Sequence, residues 1–408
     1  MAKLRKPPAR SGSPPQSPSQ AVSVGMLGLN PQLVLTAILL FSLALRFLSL
    51  LVSHTENDEQ IYLALAAKVS NHFSDYTLQG TEILKRLPQG TYNQPIFLRP
   101  PLFVYLLSMC DSFRAQLLIP LLAGLGVIWT TFFLGKRLAL PQSTSLLACI
   151  VLACCPILLF TSVHIWADIL LALLVCLTLL LFLLAIERNA KSLFASAGVA
   201  FGLAILSKET AVLMLPALLY ATFKEGAFTR GLTRLLYFGV PAVMVCSPWF
   251  YHFHQVTGVF FKGAEITEEN LRIPFINMMV NRPWYFYFWH IVVLSPIYVF
   301  AYFEIVERLK KRESLTEVVW AISYLVPLTL VGLLGQGYQT RYILPAIPGL
   351  ALLAASAVHR RRATWVAATA VVLLAYGLLT GILDSLLFRP VDLFAAHEFF
   401  WGPLLAAK

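Results

Sequence analysis

Charged side chains are rare in this sequence, and several of them interrupt long apolar runs. Three are cations: Arg99 precedes two prolines, Lys208 divides an apolar stretch, and Arg341 opens another. Arginine binds phosphate oxygens through paired hydrogen bonds and lysine acts as a point charge, so this set could hold an anionic phosphate ligand. Two carboxylates, Asp58 and Asp168, also border apolar runs. A carboxylate beside a sugar hydroxyl can act as a general base, and cations over a phosphate can stabilise it as a leaving group.

Each of these residues also has an interpretation that involves no chemistry. Asp58 and Asp168 could cap helices. Arg341 could extend its charge to the membrane interface, Arg99 could anchor an interfacial helix, and 208–209 could form a polar turn. The functional interpretation is stronger for the residues as a group, because ionisable side chains at membrane depth cost free energy unless they are paired or solvated.

The elements that must position these residues are membrane-spanning helices. The sequence is 58% hydrophobic and 12% charged, whereas soluble domains carry roughly 25% charged residues. Apolar runs recur from Pro31 to Leu387; they are long enough to cross a ~30 Å hydrocarbon core and lack the alternation of barrel strands. The sequence predicts an all-α polytopic membrane protein with about eleven transmembrane helices, near 31–53, 113–135, 144–162, 164–187, 194–207, 209–223, 233–251, 286–304, 315–334, 342–358 and 364–387.

The basic clusters between these helices fall on alternate connections, so they share one face. That face is cytoplasmic by the positive-inside rule. The net charge of +11 is therefore a topology signal, and no nucleic-acid partner is expected. The singled-out residues lie on the other face. The clusters are Lys3/Arg5/Lys6/Arg10, Lys136/Arg137, Arg188/Lys191, Lys224/Arg230/Arg234, Arg308/Lys310/Lys311/Arg312 and Arg360/Arg361/Arg362.

Three regions follow from this topology. Residues 1–30 are predicted to be a disordered basic cytoplasmic tail, 31–387 the transmembrane domain, and 388–408 a short C-terminal tail on the outer side. The transmembrane domain has two long outer loops, at about 54–112 and 252–285. The first loop contains amphipathic stretches near 58–72 and 98–110, which are typical of juxtamembrane helices.

The cysteine and histidine patterns give little indication of a metal or a disulfide. The six cysteines all lie in apolar segments, without the spacing of a disulfide framework or zinc site. His252 and His254 lack an evident third ligand, although oxygens of Asp58 and Glu59 could ligate a divalent cation. No cofactor is predicted to be required, and a divalent metal stays possible.

Four short motifs together resemble a known family. They are Asn57–Tyr62 (Asn-Asp-Glu-Gln-Ile-Tyr), Arg99–Leu102 (Arg-Pro-Pro-Leu), Ile205–Glu209 (Ile-Leu-Ser-Lys-Glu) and Arg341–Pro348 (Arg-Tyr-Ile-Leu-Pro-Ala-Ile-Pro). Their order and spacing are similar to those of membrane-embedded GT-C glycosyltransferases. The nearest groups are protein O-mannosyltransferases, lipid A aminoarabinose transferases and galacturonosyltransferases of the lipopolysaccharide core.

This resemblance implies a GT-C-like fold and an inverting, single-displacement glycosyl transfer. The donor would be a sugar linked to polyprenyl phosphate, and the acceptor a hydroxyl of a lipid, glycan or protein. Asp58 and Asp168 match the catalytic acidic positions. A bacterial inner membrane is the expected location, with the site facing outward. The expected substrate-binding residues are Glu59, Tyr62, Arg99, Lys208, Glu209, Arg341 and Tyr342.

Two other functions use the same residues. A transporter or flippase of an anionic lipid-linked sugar would also need cations in a cavity, but transporters often carry internal repeats and helices broken at mid-depth. This sequence has no convincing repeat, and its unusual charges gather at one face. A non-catalytic scaffold that retains the fold is the third interpretation, and the complete acidic and basic set argues against it.

Overall fold

Helices account for all regular secondary structure in the part of the chain that the structure describes. The computed structural model describes residues 30–50, 57–87, 89–224, 228–260, 280–336, 338–361 and 364–387. The predicted all-α class is confirmed. In chain order the α-helices are α1 (Pro31–Leu50), α2 (Asn57–Asn71), α3 (Gln89–Tyr92), α4 (Leu102–Ser108), α5 (Phe113–Arg137), α6 (Gln142–Ala153), α7 (Pro156–Thr161), α8 (Ala167–Arg188), α9 (Lys191–Ser207), α10 (Leu215–Phe223), α11 (Phe228–Thr257), α12 (Phe286–Leu294), α13 (Val299–Lys311), α14 (Thr316–Val331), α15 (Ile347–Arg361) and α16 (Thr364–Leu387).

Six helical segments among the described residues are long and apolar enough to cross a membrane. They are Pro31–Leu50, Phe113–Arg137, Ala167–Arg188, Phe228–Thr257, Thr316–Leu334 and Thr340–Arg361. Further apolar helices are shorter, at Gln142–Ala153, Lys191–Ser207, Glu209–Phe223 and Val366–Ile382. These segments coincide with predicted spans, but the total of about eleven stays a prediction.

Prolines interrupt three of the predicted spans. The span predicted at 144–162 is divided into α6 and α7, and α7 starts at Pro156. Pro296 opens a 3₁₀ turn between α12 and α13, and a 3₁₀ segment containing Pro345 precedes α15. Proline lacks the backbone N–H of a helical hydrogen bond and clashes with the preceding turn, which explains the breaks.

α8 lies at the centre of the bundle, and most of its side chains are buried. It packs against α5 and α9, and α9 packs against α11. Two glycines of α9 permit the second contact. A Cβ atom on Gly198 would lie 2.0 Å from the Phe238 carbonyl oxygen, and one on Gly202 would lie 2.7 Å from that of Ala242. Small residues let membrane helices approach to backbone contact.

The predicted juxtamembrane stretches form α2 and α4, which pack against each other. The segment between them is held by Tyr76. Its carbonyl accepts the Phe97 N–H at 2.7 Å, and its hydroxyl donates to the Pro100 carbonyl at 3.2 Å. These bonds hold the chain on both sides of Arg99, because Phe97 precedes it and Pro100 follows it.

The opposite end of the bundle carries a buried ionic cluster. Arg308 on α13 donates to Glu304 at 2.8 Å and to Glu317 on α14 at 3.0 Å. Arg360 on α15 lies 3.2 Å from the same Glu304. Basic residues that were interpreted as topology signals thus also join three helices.

Several predictions fall on residues that the structure does not describe. The predicted tail at 1–30 lies outside the described residues except for its last position, and the tail at 388–408 lies outside them entirely. Residues 261–279 of the second predicted outer loop also lie outside the described ranges.

Candidate functional site

The start of α8 and the end of α9 meet, and they place Asp168 beside Lys208. The Ser207 hydroxyl donates to the Ala167 carbonyl at 3.2 Å, which ties the two helix ends together. Lys208 then leaves α9 in an extended conformation, and its Nζ lies 2.6 Å from Asp168 Oδ1. Both side chains are largely buried, with exposed fractions of 10% and 4%. A buried pair of this kind is stable only with close hydrogen-bonded geometry.

Arg341 links this pair to the first loop. It lies in the 3₁₀ segment before α15, where its Nη2 forms an ion pair with Asp58 Oδ2. Its Nε lies 3.7 Å from Asp168 Oδ2 and donates to Gln339 Oε1 at 2.8 Å. Asp58, Arg341, Asp168 and Lys208 therefore form one continuous chain of charges, although they come from four separate parts of the sequence.

Aromatic rings flank both cations of this chain. The guanidinium carbon of Arg341 lies 4.5 Å from the centre of the Trp166 ring. Lys208 Nζ lies 3.9 Å from the centre of the Tyr342 ring. Cation–π contacts at such distances stabilise partly desolvated charges. Tyr342, which was expected to bind substrate, thus lies directly against Lys208.

Arg99 lies near these charges. Its positive charge helps to lower the pKa of Asp58. Within the described ranges, however, Arg99 forms neither a hydrogen bond nor an ion pair. Burial would lower the pKa of its guanidinium, but the neighbouring Tyr342 and Glu209 raise that pKa above the ordinary value. Arg99 is therefore a charged, partly buried group that remains available to an anion.

The two acidic residues have different environments. The Asp58 side chain is 41% exposed, whereas that of Asp168 is 4% exposed. Burial would raise the pKa of Asp58, but the charge and hydrogen bond of Arg341 outweigh this effect, with help from Arg99 and Lys208. The pKa of Asp58 therefore lies below its ordinary value. Asp58 can meet a substrate, while Asp168 mainly contacts the two cations.

Glu59 is directed into the protein. It is 1% exposed. Its Oε1 accepts the Ile165 N–H at 2.6 Å and lies 3.2 Å from His164 Nδ1. The His164 ring lies between Phe160 and Trp166, with ring centres 4.3 and 5.1 Å away. Its contacts connect α2 to the loop before α8, and the substrate-binding role expected for Glu59 stays a prediction.

Tyr62 and Glu209 lie around the cations. Tyr62 packs edge-on against Phe103 with ring centres 5.4 Å apart, and burial raises its pKa. Glu209 begins the 3₁₀ turn after Lys208 and acts on Arg99 through its charge. The Tyr62 phenol stays protonated at neutral pH, so it can donate a hydrogen bond to an oxygen ligand.

Two residues near the site, Trp166 and Tyr92, and a buried arginine of α1, Arg46, were not predicted. Trp166 supports Arg341, and Tyr92 lies close enough to Asp58 for their charges to interact, with burial raising its pKa to about 12. Arg46 is fully buried in α1, where its Nη1 donates to the Ser42 carbonyl at 3.0 Å. In the sequence, only Arg46 could have been noticed, as a charged residue within an apolar run. Trp166 and Tyr92 have no comparable sequence signal.

The described residues contain no group of three or more His, Cys, Asp or Glu side chains that could hold a metal ion. The ring of His254 stacks on Phe260 with centres 4.2 Å apart, and His252 lies 6.3 Å from Trp249 by the same measure. These contacts are aromatic packing.

Residues 99–252 match the family model described as dolichyl-phosphate-mannose-protein mannosyltransferase. The matched segment begins at Arg99 and includes Asp168 and Lys208. It excludes the segments that carry Asp58 and Arg341.

One curated relative is the undecaprenyl phosphate-alpha-4-amino-4-deoxy-L-arabinose arabinosyl transferase of Pseudomonas savastanoi pv. phaseolicola. The two sequences are 29% identical over 178 residues, which is 42% of this chain and 33% of the relative. This chain therefore matches only about a third of that protein's length.

Solved structures with a similar fold include ArnT from Cupriavidus metallidurans bound to undecaprenyl phosphate, with a TM-score of 0.62 and 18% identity over 92% of this chain and 65% of that one. The apo form of the same protein gives a TM-score of 0.61 at 19% identity, covering 91% and 68%. The Archaeoglobus fulgidus oligosaccharyltransferase gives 0.53 at 16% identity, covering 87% and 55%. The GT-C fold that the motifs implied is confirmed.

Proposed function

We propose that the protein is a membrane glycosyltransferase that moves a sugar from a polyprenyl-phosphate-linked donor to an acceptor hydroxyl on the non-cytoplasmic face. The matches to a mannosyltransferase family and to an undecaprenyl-phosphate-dependent arabinosyl transferase support this reaction class. The positive-inside pattern supports the orientation.

The observation that best supports this proposal is the convergence of Arg99, Lys208 and Arg341. Lys208 and Arg341 are already paired with carboxylates, whereas Arg99 has no carboxylate within ion-pair distance among the described residues. A phosphate diester carries one negative charge and several acceptor oxygens, so it fits a free guanidinium with two further cations beside it. Arg99 would contact the donor phosphate first.

Asp58 would accept the proton of the acceptor hydroxyl. While Asp58 is paired with Arg341 its pKa is lowered, so it is a weak base, and catalysis is most effective when the pKa of a base lies near the working pH. A donor phosphate that draws Arg341 towards itself would weaken the Asp58 pair and raise this pKa. Donor binding would thereby prepare the base.

The transfer is a single displacement at the anomeric carbon. The acceptor oxygen forms its bond to this carbon as the bond from the carbon to the phosphate oxygen breaks. The electron pair leaves with polyprenyl phosphate, and the acceptor proton passes to Asp58. Attack from the face opposite the phosphate inverts the anomeric configuration. Arg99, Lys208 and Arg341 would stabilise the negative charge that develops on the leaving phosphate.

Asp168 would act on the cations rather than on the acceptor. Its carboxylate is 4% exposed and touches both Lys208 and Arg341. Because its carboxylate contacts both cations, Asp168 would set the distance between them and preorganise the phosphate site.

The test is sugar transfer by the purified full-length chain from a polyprenyl-phosphate donor. Arg99→Gln should reduce release of polyprenyl phosphate at least tenfold. The matched control is Arg114→Gln, because Arg114 is an exposed arginine at the start of α5; it should leave release unchanged. Full activity of Arg99→Gln would contradict the proposal. Liposomes in which labelled donor crosses the bilayer without bond cleavage would instead assign transport.

A further inference from the structure

A groove lies between α1 and α5, far from the candidate active site. It has a volume of about 240 Å³, and its lining includes Gln32, Thr36, Trp129, Phe132, Phe133 and Lys136. These residues lie at the start of α1 and the end of α5. At about 1.5 Å per residue, α1 carries the chain roughly 25 Å from this groove to the end that precedes Asp58.

Lys136 supplies the groove's charge. Its Nζ lies 4.6 Å from the centre of the Phe132 ring and 5.8 Å from that of Phe133. Within the described residues no carboxylate lies close enough to pair with it. The next residue is different: Arg137 Nη1 lies 2.7 Å from Glu187 Oε2. Two adjacent cations on one helix therefore differ in that only Lys136 remains available to a ligand.

The walls of the groove favour an amphiphile. The side chains of Leu35, Leu39 and the two phenylalanines are apolar, and Gln32 supplies an exposed amide at the mouth. The neighbouring face of α1 exposes Leu33 and Leu40 by 62% and 61%, as expected for a helix in contact with lipid. A ligand that enters from this side must have an apolar portion.

We propose that this groove binds an anionic glycerophospholipid, with the lipid phosphate at Lys136 and part of an acyl chain along the phenylalanines. Charge complementarity selects an anionic headgroup over a zwitterionic one, because basic pockets between membrane helices recognise acidic headgroups. The positive-inside pattern places the groove in the cytoplasmic leaflet. The site is therefore separate from the one proposed for the sugar donor.

Native mass spectrometry of the purified full-length chain tests the proposal, with phosphatidylglycerol and phosphatidylethanolamine of identical acyl chains as probes. The wild type should retain phosphatidylglycerol in preference to phosphatidylethanolamine. Lys136→Gln should weaken that retention about fivefold, the effect of one lysine charge near a membrane surface. Arg137→Gln is the matched control and should retain the lipid, because its charge is already neutralised by Glu187.

A second variant tests the groove itself. Leu39→Trp adds bulk to the lining without changing any charge, so it should also reduce retention of phosphatidylglycerol. Equal losses in Lys136→Gln and Arg137→Gln would overturn the proposal, since they would indicate a general charge effect. Lipid retention that appears only after residues 2–25 are deleted would also overturn the proposal, because the N-terminal tail would then be the occupant of the groove.

Discussion

Replacing Glu59 by alanine should impair turnover more than donor binding. The substitution removes the acceptor of the Ile165 N–H, which lies 2.6 Å from the carboxylate in a site where Glu59 is 1% exposed. A buried donor left without an acceptor costs about 1–3 kcal/mol. The loop from His164 to Trp166 would then move relative to α2, and with it the spacing of Asp58 and Asp168. A displacement of about 1 Å in an active site can cost about 10²-fold in rate.

The assay is steady-state sugar transfer, with kcat and KM determined separately, on detergent-solubilised protein. Glu59→Ala should lower kcat by about 10- to 100-fold with a small change in KM. Glu59→Gln retains a carbonyl oxygen for the Ile165 N–H and should recover most of the loss. Glu82→Ala is the control, since Glu82 is an exposed partner of Lys85. A raised KM with unchanged kcat in Glu59→Ala would refute this reasoning and would support the predicted substrate-binding role of Glu59.

Three further variants test other parts of the account. In Arg341→Lys the weaker ion pair should raise the pKa of Asp58, which lies below its ordinary value in the wild type. The acid limb of the kcat/KM pH profile should therefore move to higher pH, and an unmoved limb would contradict the pairing. Lys208→Gln leaves a buried carboxylate on α8 with one cation 3.7 Å away, so a thermal melt should show destabilisation of about 3 kcal/mol, and an unchanged melt would exclude the pair. Gly198→Ala forces the α9–α11 backbones apart and should destabilise by about 1–3 kcal/mol, whereas Gly239→Ala meets nothing within 4 Å; equal melting temperatures would contradict the close contact.

The sequence was most informative about features that depend on composition and order. Long apolar runs predicted the spans because every backbone group in lipid must be satisfied within a helix. Charges that the topology left unexplained predicted the site. The structure then placed Asp58, Asp168, Lys208 and Arg341 in one ionic chain. The order of the four motifs predicted the GT-C fold.

Other features depend on contacts between distant segments, which no local pattern encodes. Glu59 is next to Asp58 in the chain, yet one is buried and the other exposed, because successive residues of a helix point in different directions. The hydrogen-bond partner of Glu59 is the backbone N–H of Ile165, and a backbone group has no sequence signature. Arg46 lies within an apolar run, and only packing reveals that it is buried. The interruption at Pro156 was visible in the sequence, but the apolar residues around it favoured one continuous span.

The most direct measurement is a cryo-electron microscopy structure of the full-length chain with polyprenyl phosphate. We expect a phosphate whose oxygens lie within hydrogen-bond distance of Arg99 and at least one of Lys208 and Arg341, with Asp58 facing the open side. A phosphate bound away from all three cations would contradict the central claim.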